Sequence, residues 1–250
     1  MSARAAAPAP PPVPAAADFG LDAPKQVRQT FIRGGLLVLF GLAVWFMNRN
    51  TAPGPGAALC TVFAVIGIGY LAAGWVMRWS SLTGKIQVRE RMLNAIPWRG
   101  DENVLDVGCG RGVFLIGAAK RIAKPGRATG ADLSPQTDAL NRNAQAEGVS
   151  DRVRVYTADA RKLPYTSGLY DVVLSSLTLH EIDDPTERAA ALRELWRVTK
   201  AGGHLGILDV AHMAEYLEAL KRDGAEVIAK SGFSMLWVNP TTRWFVVRKP

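Results

Sequence analysis

"VLDVGCGRG", Val104–Gly112, is the stretch from which the fold of this 250-residue chain can be read. An apolar run containing an aspartate predicts a short buried strand, and glycines at 108, 110 and 112 predict a tight turn into a helix. Bare backbone in such a turn can approach a ligand at the helix N-terminus. The spacing narrows the ligand. A dinucleotide turn reads G-x-G-x-x-G and stays free of acid to seat a pyrophosphate. This one reads G-x-G-x-G and is preceded by Asp106, a carboxylate that repels phosphate and suits a ligand carrying an ammonium group.

Downstream, strand and helix signals alternate, the pattern of a parallel sheet covered on both faces. "GVFLIGAAKRIA" predicts a helix ending near Pro125-Gly126, "GRATGAD" a second strand, and "SPQTDALNRNAQAEG" a helix opened by Ser134. "DRVRVYTAD" and "YDVVLSS" follow as strands three and four, "DPTERAAALRELWRVTK" as a helix, and "HLGILDV" as strand five. One more helix, "AEYLEALKRDG", and two closing strands, the last being "RWFVVRK", complete the expected domain. The predicted fold is α/β: a Rossmann-like, seven-stranded, mostly parallel sheet with helices on both faces, spanning 85–250. "GKIQVRERMLNAI" puts Val88, Met92, Leu93 and Ile96 on one arc, an amphipathic helix leading into it.

Upstream the texture differs. Residues 1–24 are Ala/Pro-rich, and the prolines at 8, 10, 11, 12 and 14 predict a disordered tail rather than a signal peptide. Residues 25–84 hold two apolar runs, expected to be spans of about 31–48 and 57–77, followed by a short linker, "WSSLTG". The second lies in a stretch from Asn50 to Met77 without any charge, long enough to cross a bilayer. The first is marginal and crosses only if Arg33 snorkels. The pair predicts two transmembrane helices, with a buried helical hairpin or an interfacial anchor as the alternatives. Of the net charge of +8, +6 lies before Arg99. Such charge flanks the apolar runs rather than coating the domain, so it reads as membrane topology and not as a nucleic-acid footprint. Lys25, Arg28 and Arg33 before the hairpin, with Arg78, Lys85, Arg89 and Arg91 after it, put both ends in the cytoplasm. The expected location is therefore the inner (cytoplasmic) membrane, multi-pass, with a cytoplasmic domain. Cys60 and Cys109 are too few and too far apart for a thiol metal cluster.

"VLDVGCGRG", "GADLS" with Asp132, "TADA" with Asp159 and "YDVVLSSLTLHEI", in that order at strand ends, resemble the class I S-adenosylmethionine-dependent methyltransferases. The likeness, covering about 85–250, is to the small-molecule group with a methyltransferase type 11 domain. It implies S-adenosylmethionine as the cofactor. Backbone from Gly108 through Cys109 and Gly110 to Gly112 would cradle its methionine part, with Asp106 near the amino group. Asp132 would accept the two ribose hydroxyls, as a carboxylate can. Leu133 would pack on the adenine, Asp159 would accept from its amino group, Ala160 would offer a backbone N–H, and Ser175 would border the methionine amine and the methyl group.

Methyl transfer from a sulfonium needs in-line positioning, and a base only where the acceptor loses a proton. His180 is the candidate base or orienting group. Metal is not expected, because the adjacent ligands in "HEIDD" on a turn rarely converge. The Asn/Asp-Pro-Pro-Tyr motif of amino-group methylases is absent after strand four, where "SSLT" stands. The expected acceptor is small or lipid-like, such as a quinone precursor or phospholipid headgroup, and no nucleic-acid partner is expected. With strand five running almost directly into the next helix, no inserted lid is expected, and the membrane would cover the acceptor side. A non-catalytic sensor or scaffold that binds the cofactor, or a nicotinamide-dependent reductase, would share the turn but not the full series of acids.

Overall fold

The computed structural model describes residues 16–232 and 241–250. The chain opens with two helices, α1 (Pro24–Asn48) and α2 (Pro53–Trp79), packed side by side. Both are long and apolar enough to cross a bilayer. Their packing is inverted relative to a soluble core. The buried positions are Val27, Gly34 and Gly41 on α1 and Gly56, Gly67 and Gly74 on α2, whereas Leu39, Met47, Val65, Ile68 and Trp75 point outward. A Cβ on Gly34 would lie 2.9 Å from the Gly67 carbonyl oxygen, and one on Gly67 would lie 2.8 Å from that of Gly34. Glycine there is what lets the backbones touch, and small residues repeated along a face are the usual device of apolar helix pairs.

The expected linker is not a leash. A single π turn, Ser80–Gly84, carries α2 straight into α3 (Lys85–Leu93), so one continuous helix of 41 residues runs from Pro53 to Leu93. The expected boundary at residue 85 falls inside it. Val88, Met92, Leu93 and Ile96 are buried, as their spacing predicts.

Among the described residues the sheet has seven strands, in the order β3-β2-β1-β4-β5-β7-β6. These are β1 (Asn103–Val107), β2 (Arg127–Asp132), β3 (Val153–Thr157), β4 (Tyr170–Ser176), β5 (Thr199–Asp209), β6 (Glu226–Lys230) and β7 (Arg243–Arg248). The first five are mutually parallel and β7 runs antiparallel to both neighbours. Two cores flank it. Met92, Phe114, Leu115, Ile116 and Leu140 pack on one face with α3, α4 (Val113–Ala119) and α5 (Thr137–Ala146). Leu192, Leu195, Trp196, Tyr216 and Leu220 pack on the other with α6 (Pro185–Val198) and α7 (Met213–Arg222). Asp184 caps α6, accepting from the Thr186 and Glu187 amides. Two helices are shorter than their patterns predict, with α4 ending at Ala119 and α5 starting at Thr137 instead of Ser134. The strand order reverses between β1 and β4, which opens a crevice at their carboxyl ends.

The tail expected over 1–24 splits. Residues 1–15 lie outside the described residues. Ala16–Ala23, by contrast, form a strap against the domain: Asp18 N–H donates to Asn143 Oδ1 at 2.8 Å, and Lys85 Nζ donates to the carbonyls of Phe19 and Gly20 at 3.1 and 2.6 Å.

Candidate functional site

The crevice holds two adjoining cavities that share Gly108, Gly110 and Leu177 in their walls. Parallel strands end there with their polar residues, and the glycine turn separates the two spaces. Gly108 has φ +75°, and a Cβ on it would overlap the Thr178 side chain, so glycine is required on both counts.

The first cavity, about 480 Å³, lies between the glycine turn and the strap, with Asp106 in its wall. Asp106 is 1% exposed, and its Oδ1 has no hydrogen-bond partner among the described residues. Burial pushes its carboxyl up to about 8, against the lowering pull of the Leu115 amide, and the charge of Asp132 adds to the rise. A buried acid with an orphan oxygen is a costly arrangement that a ligand ammonium would relieve. By this test Asp106 fits the amino end of S-adenosylmethionine.

The second cavity, about 690 Å³, is lined by Asp132, Leu133, Asp159, Ala160 and Arg161, among others. It brings together the residues expected around the ribose and adenine. Leu133 is 64% exposed, an apolar surface with room for a flat ring. Asp132 already accepts the Gly110 amide at Oδ2 and the Ser134 amide at Oδ1, both at 2.9 Å. It staples the glycine turn to β2 and keeps lone pairs for a diol. Asp159 is differently engaged. Its carboxylate receives the Arg161 guanidinium, at 2.7 Å from Nη2 to Oδ2, while Arg161 also reaches Glu187 at 2.5 Å. That side-chain hydrogen bond holds the Asp159 carboxyl below its usual range. Arg161 and Glu187 were not singled out from sequence, since neither stands at a strand end.

Cys109 is buried with its thiol pushed up by burial, and its Sγ lies where a Cβ on Gly130 would fall. It is a packing residue that stands in the wall of the first cavity. Ser175, expected to border the methionine amine and the methyl group, stands one residue short of the cavity wall. It is 1% exposed, paired in the sheet between Val107 and Ile207, and lines neither cavity; Ser176 and Leu177 stand at the first cavity instead. Alternation along a strand buried on both faces explains the offset of one residue.

His180 sits on a 3-10 turn, Leu179–Glu181, beyond β4. Its flanks, Thr178 and Glu181, line the second cavity, but its ring lines neither. Its Nδ1 lies 2.6 Å from Oδ1 of Asp209, close enough for an ion pair although not aligned as a hydrogen bond, and its amide donates to Asp209 Oδ2 at 3.1 Å. Asp209, at the end of β5, is buried, which raises its carboxyl; the Val210 amide and His180 pull it back. Sequence reading did not pair the two, because β4 and β5 meet only in the folded sheet.

Residues 104–203 match the model of a methyltransferase domain family. The chain is 34% identical over 124 residues to the 27-O-demethylrifamycin SV methyltransferase of Amycolatopsis mediterranei, an alignment covering 49% of this chain and 44% of the relative. It is 31% identical over 124 residues to the demethylmenaquinone methyltransferase of Lactiplantibacillus plantarum, covering 49% and 51%. The chain thus spans about half the length of the curated relatives it matches. Among solved structures, an S-adenosylmethionine-dependent methyltransferase from Aquifex aeolicus shares the fold with a TM-score of 0.53 at 19% identity, covering 70% of this chain and 97% of that one. The fold and the match over residues 104–203 together mark a class I methyltransferase domain. More particularly, it is an S-adenosylmethionine-dependent methyltransferase domain, with S-adenosylmethionine as its cofactor.

Proposed function

We propose that the protein is a membrane-anchored methyltransferase that moves a methyl group from S-adenosylmethionine to a small, amphiphilic acceptor, such as a quinone precursor or a phospholipid headgroup. One observation carries the membrane part of this reading: a glycine-seamed helix pair turns its bulky apolar side chains outward and is built without a break into the cofactor domain. In water that outward surface is unfavourable, whereas lipid covers it. Trp45, Trp75 and Trp79 are exposed and suit interfacial belts. The basic residues on both flanks favour a cytoplasmic domain.

The bound cofactor supplies an electrophilic methyl group on a sulfonium. The chain's own residues do the rest. Asp106 holds the amino end, Asp132 stiffens the glycine turn and takes the ribose, and Leu133 and Ala160 flank the base. Asp159 is the candidate acceptor for the adenine amino group once its Arg161 contact yields. Ser176 and Leu177 border the methyl side in place of Ser175. His180, steadied by Asp209, is the rim group available to take a proton from a hydroxyl or amine acceptor.

The test is to incubate the full chain in detergent or nanodiscs with methyl-labelled cofactor and membrane extracts, then follow the label by mass spectrometry. Label in the organic-extractable fraction is expected. Label confined to water-soluble products would refute the amphiphilic acceptor, and alkaline extraction of the protein from membranes would refute the anchor.

A further inference from the structure

Five residues that precede the hairpin are held by three buried polar side chains drawn from three places in the fold. Lys85 is 2% exposed, and among the described residues its ammonium makes three contacts, all to the strap: the carbonyls of Phe19 and Gly20, and Asp22 Oδ1 at 3.3 Å. Asn143, 3% exposed on α5, both donates to and accepts from Asp18 and donates its other hydrogen to the Arg111 carbonyl of the glycine turn. Ser81, in the π turn, accepts the Asp22 amide at 2.5 Å. A lysine ammonium so deeply buried is costly unless its donors are satisfied. Here strap carbonyls satisfy it, so the strap is part of the folded domain although the whole hairpin separates it from the rest.

The strap also makes the wall. Phe19, Leu21 and Pro24 face the cavity that contains Asp106, opposite the glycine turn and Leu177. Pro24 begins α1 and Lys85 follows the π turn, so both roots of the hairpin converge on this one cavity. The side expected to lie open for want of an inserted lid is closed in part by chain from the N-terminus.

We propose that residues Asp18–Asp22, latched by Lys85 and Asn143, complete the site as its methionine-side and acceptor-side wall, so that cofactor retention depends on sequence lying ahead of the membrane hairpin. The inference rests on the methyltransferase reading above. It assigns Lys85 and Asn143 as positioning residues and gives the acceptor an apolar face, made by Phe19, Leu21 and Pro24, beside the methyl group. A domain cut out after the hairpin would contain every family motif and still lack a wall of its site.

The test uses the full chain in micelles with S-adenosylhomocysteine. In the wild type, the ligand is expected to slow hydrogen exchange at the Phe19–Asp22 amides. Replacing Asp18–Leu21 by Gly-Ser-Gly-Ser keeps the backbone groups that Lys85 and Asn143 hold but removes the Phe19 and Leu21 wall, and Lys85→Met removes the latch; each is expected to weaken binding about tenfold or more by calorimetry, the first through the lost wall and the second because an open strap lowers the competent fraction. Unchanged affinity in the Gly-Ser variant, or wild-type strap amides indifferent to ligand, would overturn the strap while sparing the function. Failure of the wild type to bind the ligand at all would overturn the function and this inference together. Should Lys85→Met fail to fold, the Gly-Ser variant and the wild-type exchange still decide.

Discussion

Asp106→Asn tests the amino-end assignment, because the same burial that prepares Asp106 for a ligand destabilises the ligand-free fold. Its carboxyl is held at about 8, whereas an ordinary aspartate titrates near 3.8. Between those values the folded chain keeps a proton that the unfolded chain has released. Folding therefore binds protons, and stability falls as pH rises from about 4 to about 8. At pH 7 the gap spans roughly three pH units, or about 4 kcal/mol at ~1.4 kcal/mol per unit, an upper figure for a fully buried group. Asparagine keeps the shape and cannot ionise, so the variant should be the more stable protein at neutral pH, with a Tm higher by up to about 10 °C. Binding should move the other way. An ammonium needs the carboxylate, so wild-type affinity for S-adenosylhomocysteine should rise about tenfold per pH unit from pH 6 and flatten above about pH 8. The variant should bind about tenfold or more weakly at pH 8, with little pH dependence. Thermal scans and calorimetry across pH 6–8.5 read both effects. A variant no more stable than wild type at pH 7, or wild-type affinity flat across that range, would refute the argument.

Three further outcomes are expected. Asp132→Ala should weaken S-adenosylhomocysteine binding by about tenfold or more, because it removes both the ribose acceptor and the Gly110 staple, while the far-UV circular dichroism spectrum stays unchanged. Asp209→Asn and His180→Ala should each lower kcat on an acceptor that loses a proton and leave cofactor affinity within about twofold; equal kcat in all three proteins would remove the pair from the reaction. Gly67→Leu should force the helix pair apart, since even a Cβ there would lie 2.7 Å from Val38 Cγ2 and 2.8 Å from the Gly34 carbonyl oxygen. A drop in thermal stability, with loss of cysteine cross-linking between α1 and α2, is the expected signature.

The sheet was legible because β1 and β2 are short and stopped by a glycine or an acid, Gly108 and Asp132, and Asp159 follows closely on β3. Asp106, Asp132, Leu133 and Ala160 could for that reason be expected at the crevice, whose cavities they line. Ser175 and Ser176 could not be told apart, since a strand covered on both faces reads as one apolar run with no visible alternation. The strap was hidden for a different reason. Its bonds are made by backbone carbonyls, which no side-chain pattern reports, to a lysine more than sixty positions away. The His180–Asp209 contact was equally silent, because strand adjacency exists only once the sheet is assembled. The π turn escaped notice because "WSSLTG" carries no strong helix signal, and its serines and glycine are kept small by burial.

The unbroken helix from Pro53 to Leu93 gears the two halves of the molecule together. Each residue advances such a helix by about 1.5 Å and turns it by about 100°. The azimuth of the sheet about the hairpin is thus counted out by chain length rather than left to a swivel. A single residue inserted in the π turn would swing the crevice about a quarter turn away from α1. The strap, tethered to α1 at Pro24, could not then reach Lys85. The spacing between Trp79 and Lys85 works like the thread of a screw, its length setting the angle at which the crevice faces the hairpin.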